Sequence, residues 1–151
     1  MKYLPAFLSV FLIFSSLSCD KNPGEIQPKV INLPLKGREV IEHSNSFGIN
    51  LFRESALAEK GNMMLSPLSA STALTMLLNG CGSQTYDQIR DMLGYEGLTM
   101  EEINSTYNSL VGQLLEVDPK VTLALANAVF YRQDYPFKPS FLGTMDQSFA
   151  A

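Results

Sequence analysis

The stretch NMMLSPLSASTALTMLLNGCGSQTYDQIRDML, residues 62–93, decides the fold of this chain. Its first four residues form a short apolar run beside turn residues, which predicts a buried strand. Ser66 and Pro67 then predict a helix start, because a Ser hydroxyl accepts a free backbone N–H and Pro lacks that N–H at the first helical position. The residues that follow are apolar or small almost all round, so we expect this helix to lie inside the protein and to end at Gly80.

Two further helix starts are predicted from capping boxes, in which a hydroxyl and a Glu or Gln three residues later satisfy each other's backbone N–H groups. Thr85 with Gln88 predicts the start of a short amphipathic helix that ends at Gly94. Thr99 with Glu102 predicts the start of a longer one. Both signals are local and need no tertiary information.

An earlier helix, ending at Gly61, is predicted from the spacing of Phe47, Leu51, Phe52 and Leu57, which lie on one helical face. Ser44 or Asn45 would provide its N-terminal cap.

Residues 121–131 alternate with a period of two, and both alternating sets are largely apolar. This pattern predicts a central strand that is covered on both sides. Asn127 falls on the side of the larger residues, where a buried amide needs hydrogen-bond partners. We expect those partners to come from another element. Pro139 predicts the start of a last helix.

The N-terminus reads as a targeting and anchoring segment. Residues 1–18 are mostly apolar but too short to cross a bilayer, which is typical of a signal peptide. Small residues lie at the end of this segment, and Cys19 follows it. This order resembles the lipobox of bacterial lipoproteins, in which the cysteine is lipidated. Ser16 departs from that pattern, which usually has Leu there. An ordinary secretory signal or a membrane-anchoring helix is the alternative.

Residues 19–40 are rich in proline and polar residues and predict a flexible tether between the lipid and the folded domain. We therefore expect an exported protein, in the cell envelope or outside the cell, bound to the membrane through a lipid anchor on Cys19.

Composition excludes several functions. The chain is 46% hydrophobic and 17% charged, as in a globular protein, and its net charge is −4. It has no basic cluster, so we expect no nucleic-acid partner. His43 is the only histidine and lies in a polar stretch. The sequence offers no catalytic constellation and no set of metal ligands, so we expect neither an enzyme nor a metal or other cofactor.

Several segments together resemble the serpin family. They are NMMLSPLS (62–69), GCGSQTYDQIRDML (80–93), LANAVF (125–130) and YPFKPSF (135–141). The resemblance covers residues 44–149. It implies an α+β fold, namely the N-terminal part of the serpin fold over residues 41–151. This part comprises helices A–E, strand 6B and strand 2A, with incomplete sheets.

The resemblance also implies a function, the inhibition of serine-type (or cysteine-type) endopeptidases by a suicide-substrate mechanism. In that mechanism a cleaved reactive loop inserts into the central sheet A. The resemblance places Ser66 and Ser69 in the shutter beneath sheet A, with Asn62 and Asn127 near the same polar network. Residues 1–151 contain no reactive loop, so we expect this chain to be inactive alone. The alternative is a small surface-anchored helical lipoprotein that acts as a binding module.

Overall fold

The structure is a computed structural model that describes residues 27–151. The signal peptide predicted over residues 1–18 and the lipidation predicted at Cys19 lie outside these residues. The described part of the chain is helical and contains no strand. Its helices are α1 Gly37–Ala58, α2 Pro67–Gly80, α3 Ser83–Leu93, α4 Met100–Leu114 and α5 Pro139–Thr144, the last continued by a π-helical turn over Met145–Phe149.

The main core forms where α1, α2, α3 and α4 meet. Its buried residues are Val40, Phe47, Leu78, Ile89, Leu93, Tyr95, Leu98 and Ile103. Full burial of one such side chain stabilises the fold by about 1.5–3 kcal/mol. A smaller cluster of Met76, Met145 and Phe149 joins the end of the chain to α2. Both clusters therefore depend on α2.

The first helix begins earlier than predicted. It starts at Gly37, seven residues before Ser44, so the prediction that Ser44 or Asn45 caps it is wrong. The first turns are mainly polar, and only Val40 anchors them in the core, so their periodicity is weak. The tether predicted as far as residue 40 therefore overlaps the first turn of α1.

The described residues before α1 lie against the end of α4. The backbone N–H of Lys29 donates to the carbonyl of Val117 at 2.7 Å. The backbone of Asn32 and the side chain of Gln113 exchange two hydrogen bonds, each 2.7 Å long. The Lys29 ammonium also pairs with the Glu116 carboxylate at 3.1 Å. This part of the predicted tether is thus bound to the domain through backbone groups and one ion pair.

One predicted capping box is confirmed. The N–H of Glu102 donates to Thr99 Oγ1 at 3.2 Å, and the N–H of Thr99 donates to Glu102 Oε2 at 2.8 Å. The hydrogen bonds from Thr99 lower the pKa of Glu102 below its usual value. The box predicted at Thr85 is wrong, because α3 begins at Ser83 and Thr85 already lies inside the helix. The predicted end of α3 is confirmed, with Gly94 in the left-handed conformation at φ 73°.

Neither predicted strand forms in the described chain. Residues 62–65 and 121–131 have no strand pairing, and Met64 and Phe130 are 93% and 95% exposed. The cover on both sides predicted for residues 121–131 is not seen in the described residues. A strand needs a neighbour for its backbone N–H and C=O groups, and no segment within residues 27–151 provides one.

The close crossing of α1 over the start of α2 provides a test. A Cβ atom on Gly48 would lie 2.7 Å from Pro67 Cβ, and this ring cannot turn away. We expect Gly48→Ala to lower the free energy of unfolding by about 1–3 kcal/mol through overpacking. The measurement is urea unfolding followed by circular dichroism.

Gly112→Ala is the matched control, since Gly112 lies within α4 and a Cβ there meets nothing within 4 Å. It should raise the free energy of unfolding by about 0.5–1 kcal/mol, as alanine does in a helix. Equal effects of the two substitutions would contradict the tight crossing.

Candidate functional site

The start of α2 carries a pair of interacting hydroxyls. Ser66 is the N-cap, and its Oγ accepts the backbone N–H of Ser69 at 3.3 Å. The two Oγ atoms lie 2.8 Å apart. Both residues are exposed in the described chain. The predicted helix start is confirmed, and the two hydroxyls form one small polar group at the helix N-terminus.

One side of α2 is open. Ser69, Ala73 and Leu77 lie on it at helical spacing and are exposed, with 52% exposure for Leu77. We call these three residues the open face. The prediction that α2 lies inside the protein therefore holds for its opposite side alone. A helix this apolar normally has a packing partner all round.

Asn127 fastens the extended segment 121–131 to two other elements. Its Nδ2 donates to Tyr107 Oη in α4 at 3.1 Å and to the carbonyl of Phe149 at 2.9 Å. The rings of Tyr107 and Phe149 pack with centroids 4.7 Å apart. The prediction that Asn127 finds partners on another element is confirmed.

The four predicted shutter residues are not joined into one network. Ser66 and Ser69 contact each other, whereas Asn127 bonds to Tyr107 and the chain end. Asn62 is exposed, and in the described residues no hydrogen bond joins it to the other three. The structure therefore brings two of the four together.

Tyr107 is a site residue that the sequence reasoning missed. Its spacing on α4 marks it as a residue of the apolar face, together with Ile103. A tyrosine in such a position still has a hydroxyl that needs a partner when buried. Asn127 also needs a hydrogen-bond partner when buried. This shared need was the signal in the sequence that could have paired Tyr107 with Asn127.

The remaining chemistry-bearing side chains have packing roles. His43 lies over Gly94, where a Cβ would come within 2.8 Å of His43 Nδ1. Cys81 is a half-buried free thiol. Across residues 27–151 no cluster of His, Cys, Asp or Glu is arranged to hold a metal ion. In the same range, no helix combines the length and apolar character needed to cross a membrane.

Comparison with known proteins identifies the family. Residues 42–151, most of the chain, match the serpins, described as serine protease inhibitors. This chain belongs to the serpin family. The predicted family is thus confirmed, although the strands of its α+β fold are not seen in the described residues.

Individual serpins show how much of the fold the chain represents. It is 34% identical over 108 residues to the leukocyte elastase inhibitor of Sus scrofa, covering 70% of this chain and 28% of that protein. It is 33% identical over 129 residues to the plasma serine protease inhibitor of Bos taurus, covering 83% of this chain and 30% of that protein. The chain therefore spans less than a third of the length of these relatives.

The contacts of Asn127 in this serpin chain give a test. Asn127→Ala removes two hydrogen bonds and leaves the Phe149 carbonyl and the Tyr107 hydroxyl without their partner. We expect it to lower the free energy of unfolding by about 1–3 kcal/mol and Tyr107→Phe by about 0.5–1.5 kcal/mol. Urea unfolding measures both, and limited proteolysis should show faster cleavage within residues 121–131.

Ala128→Ser serves as the control, because Ala128 is an exposed neighbour on the same segment. It should change neither measurement. If Asn127→Ala behaved like this control, the two hydrogen bonds would not be what holds the segment.

Proposed function

We propose that this chain is part of a serpin that inhibits serine-type endopeptidases as a suicide substrate. The observation that carries the proposal is the family match over residues 42–151. Two relatives are named as inhibitors, one of leukocyte elastase and one of plasma serine proteases. The partner of the longer protein is then a serine (or cysteine) protease.

The proposed mechanism requires a movable sheet. The protease cleaves an exposed loop and is trapped as an acyl-enzyme, and the cut loop then enters sheet A as an additional strand. The strands of the sheet must part to admit it, so whatever lies beneath has to present small groups that exchange hydrogen bonds easily.

The start of α2 suits such a place beneath a sheet. Ser66 and Ser69 have short side chains, and each hydroxyl is both donor and acceptor, so it can change partners at little steric cost. The open face continues from them with Ala73 and Leu77, whose exposed apolar surface favours a covering layer. We assign this face to the underside of sheet A and the extended segment 121–131 to a strand of that sheet.

We further propose that residues 1–151 do not inhibit a protease by themselves. They correspond to less than a third of each inhibitory relative, whereas the mechanism needs a complete sheet and a reactive loop. The bait residue and the target protease are features of that mechanism, and helices α1–α5 do not determine them.

Complex formation with proteases tests both statements. The 151-residue chain and any longer product of its own reading frame are each mixed with elastase-, trypsin- and chymotrypsin-like serine proteases. On SDS gels the longer product should form a resistant complex and the 151-residue chain should form none. A complex with the short chain would refute its inactivity, and a longer product that traps no protease would refute the inhibitory function.

The role of the hydroxyl pair is tested in the same longer product. Ser69→Val removes a hydroxyl and adds bulk on the open face, so a larger share of the inhibitor should end cleaved without trapping the protease. Ser105→Ala, an exposed position on α4, is the control and should leave that share unchanged. Equal partition in the two variants would contradict the shutter role of Ser69.

A second candidate function, a surface-anchored binding module, is favoured by the exposed apolar residues of the open face. In this case the open face would hold a partner protein directly and Cys19 would carry the lipid. The two functions differ in their need for a reactive loop, so the protease test above separates them.

Export and lipid anchoring are a prediction of their own, based on the signal-like residues 1–18 and on Cys19. We expect the protein to incorporate labelled palmitate and to sediment with membranes, and Cys19→Ala to abolish the labelling and release the protein. Cys81→Ala, the control for the other cysteine, should do neither. Labelling that survives Cys19→Ala would contradict the anchor.

A further inference from the structure

The buried side of α2 carries hydroxyls. Ser71, Thr72 and Thr75 are each 3–5% exposed. Each hydroxyl donates to a carbonyl of its own helix, the first two to Leu68 at 3.1 and 2.7 Å and the third to Ser71 at 2.7 Å. Because a hydroxyl has one proton, these three can offer only lone pairs to anything else. The result is a buried surface of acceptors.

A fourth buried hydroxyl differs from these three, because its proton has no acceptor within the described residues. Thr106, in α4, is 0% exposed, and its Oγ1 has no hydrogen-bond partner within the described residues. Its methyl carbon lies toward Gly37, where a Cβ would come within 3.5 Å of it. The hydroxyl is thus an unsatisfied buried donor, which is unfavourable unless it finds an acceptor.

All four residues line one narrow cavity between α1, α2 and α4. Its free volume is about 20 Å³. Ser44 and the ring of Tyr95, whose hydroxyls lie 3.2 Å apart, also line it. A buried water needs roughly 10–15 Å³ and between two and four polar partners. The cavity meets both conditions for one water.

We propose that this cavity is a binding site for a single structural water molecule held by Thr106. The hydrogen-bond balance is complete with one water. The Thr106 hydroxyl donates to the water oxygen, and the water donates its two protons to lone pairs among Ser71, Thr72 and Thr75. Water offers one acceptor for Thr106 and two donors for α2.

The water would connect α4 to α2 through groups that do not otherwise bond to each other. The buried hydroxyls of α2 already donate to carbonyls of their own helix, so the group that gains a partner is Thr106. The site does not depend on the proposed inhibitory function, since it lies on the side of α2 away from the open face.

A crystal structure of the protein at a resolution that shows ordered waters provides the direct test. We expect a density peak within hydrogen-bond distance of Thr106 Oγ1 in the wild-type protein and in Thr106→Ser, which keeps the hydroxyl. We expect no peak in Thr106→Val, which keeps the shape and removes the donor. Absence of the peak in the wild-type protein would overturn the proposal.

Unfolding measurements provide an independent readout. If water satisfies Thr106, the urea midpoint of Thr106→Val should fall below that of the wild-type protein, because the water loses the partner that holds it. If the hydroxyl is instead left unsatisfied, Thr106→Val removes an unfavourable buried group and the midpoint should rise. A raised midpoint would therefore overturn the proposal.

Discussion

The rest of this structure depends on the packing of α2 against α1 and α4. The contact is close, since Gly48 leaves no room for a Cβ beside Pro67, and it buries the side of the helix that bears hydroxyls. Those hydroxyls are compatible with burial because each bonds to a carbonyl of its own helix. The same packing leaves Ser69, Ala73 and Leu77 exposed on the opposite side, and this open face is where a further layer can bind.

The open face and the helix start act as one surface. Ser66 caps α2 with a short hydroxyl, so the cap adds little bulk, and Ser69, Ala73 and Leu77 continue the same side. The core on one side of α2 holds the helix in place. The short side chains on its other side would offer little steric resistance to a layer moving across them. That combination would suit the movable sheet of the proposed mechanism, and it follows from the local sequence of α2.

The sequence predicted those elements whose signals are local. Ser66 and Pro67, Thr99 with Glu102, and Gly94 each act through their immediate neighbours, and the structure confirms all three helix boundaries. Two local predictions were wrong, because the helices begin before the caps predicted at Ser44 or Asn45 and at Thr85. The strands that are not seen depend on distant partners. Residues 121–131 alternate like a covered strand, but alternation cannot supply the neighbours that a sheet needs. The inward orientation of the hydroxyls on α2 was also hidden, because apolar residues occur on both of its sides.

Residues 121–131 are held against the helices without any strand pairing in the described chain. Among the described residues, no backbone group of residues 122–131 bonds to another backbone group. Asn127 nevertheless fixes the segment through its side chain, and Val129 packs against the cluster of Met76, Met145 and Phe149. These contacts determine which side of the segment faces the helices. The opposite side is therefore the one available to a covering layer. Because contacts distant in sequence form slowly, a segment whose inner side is already fixed would leave the sheet of the proposed fold fewer alternatives.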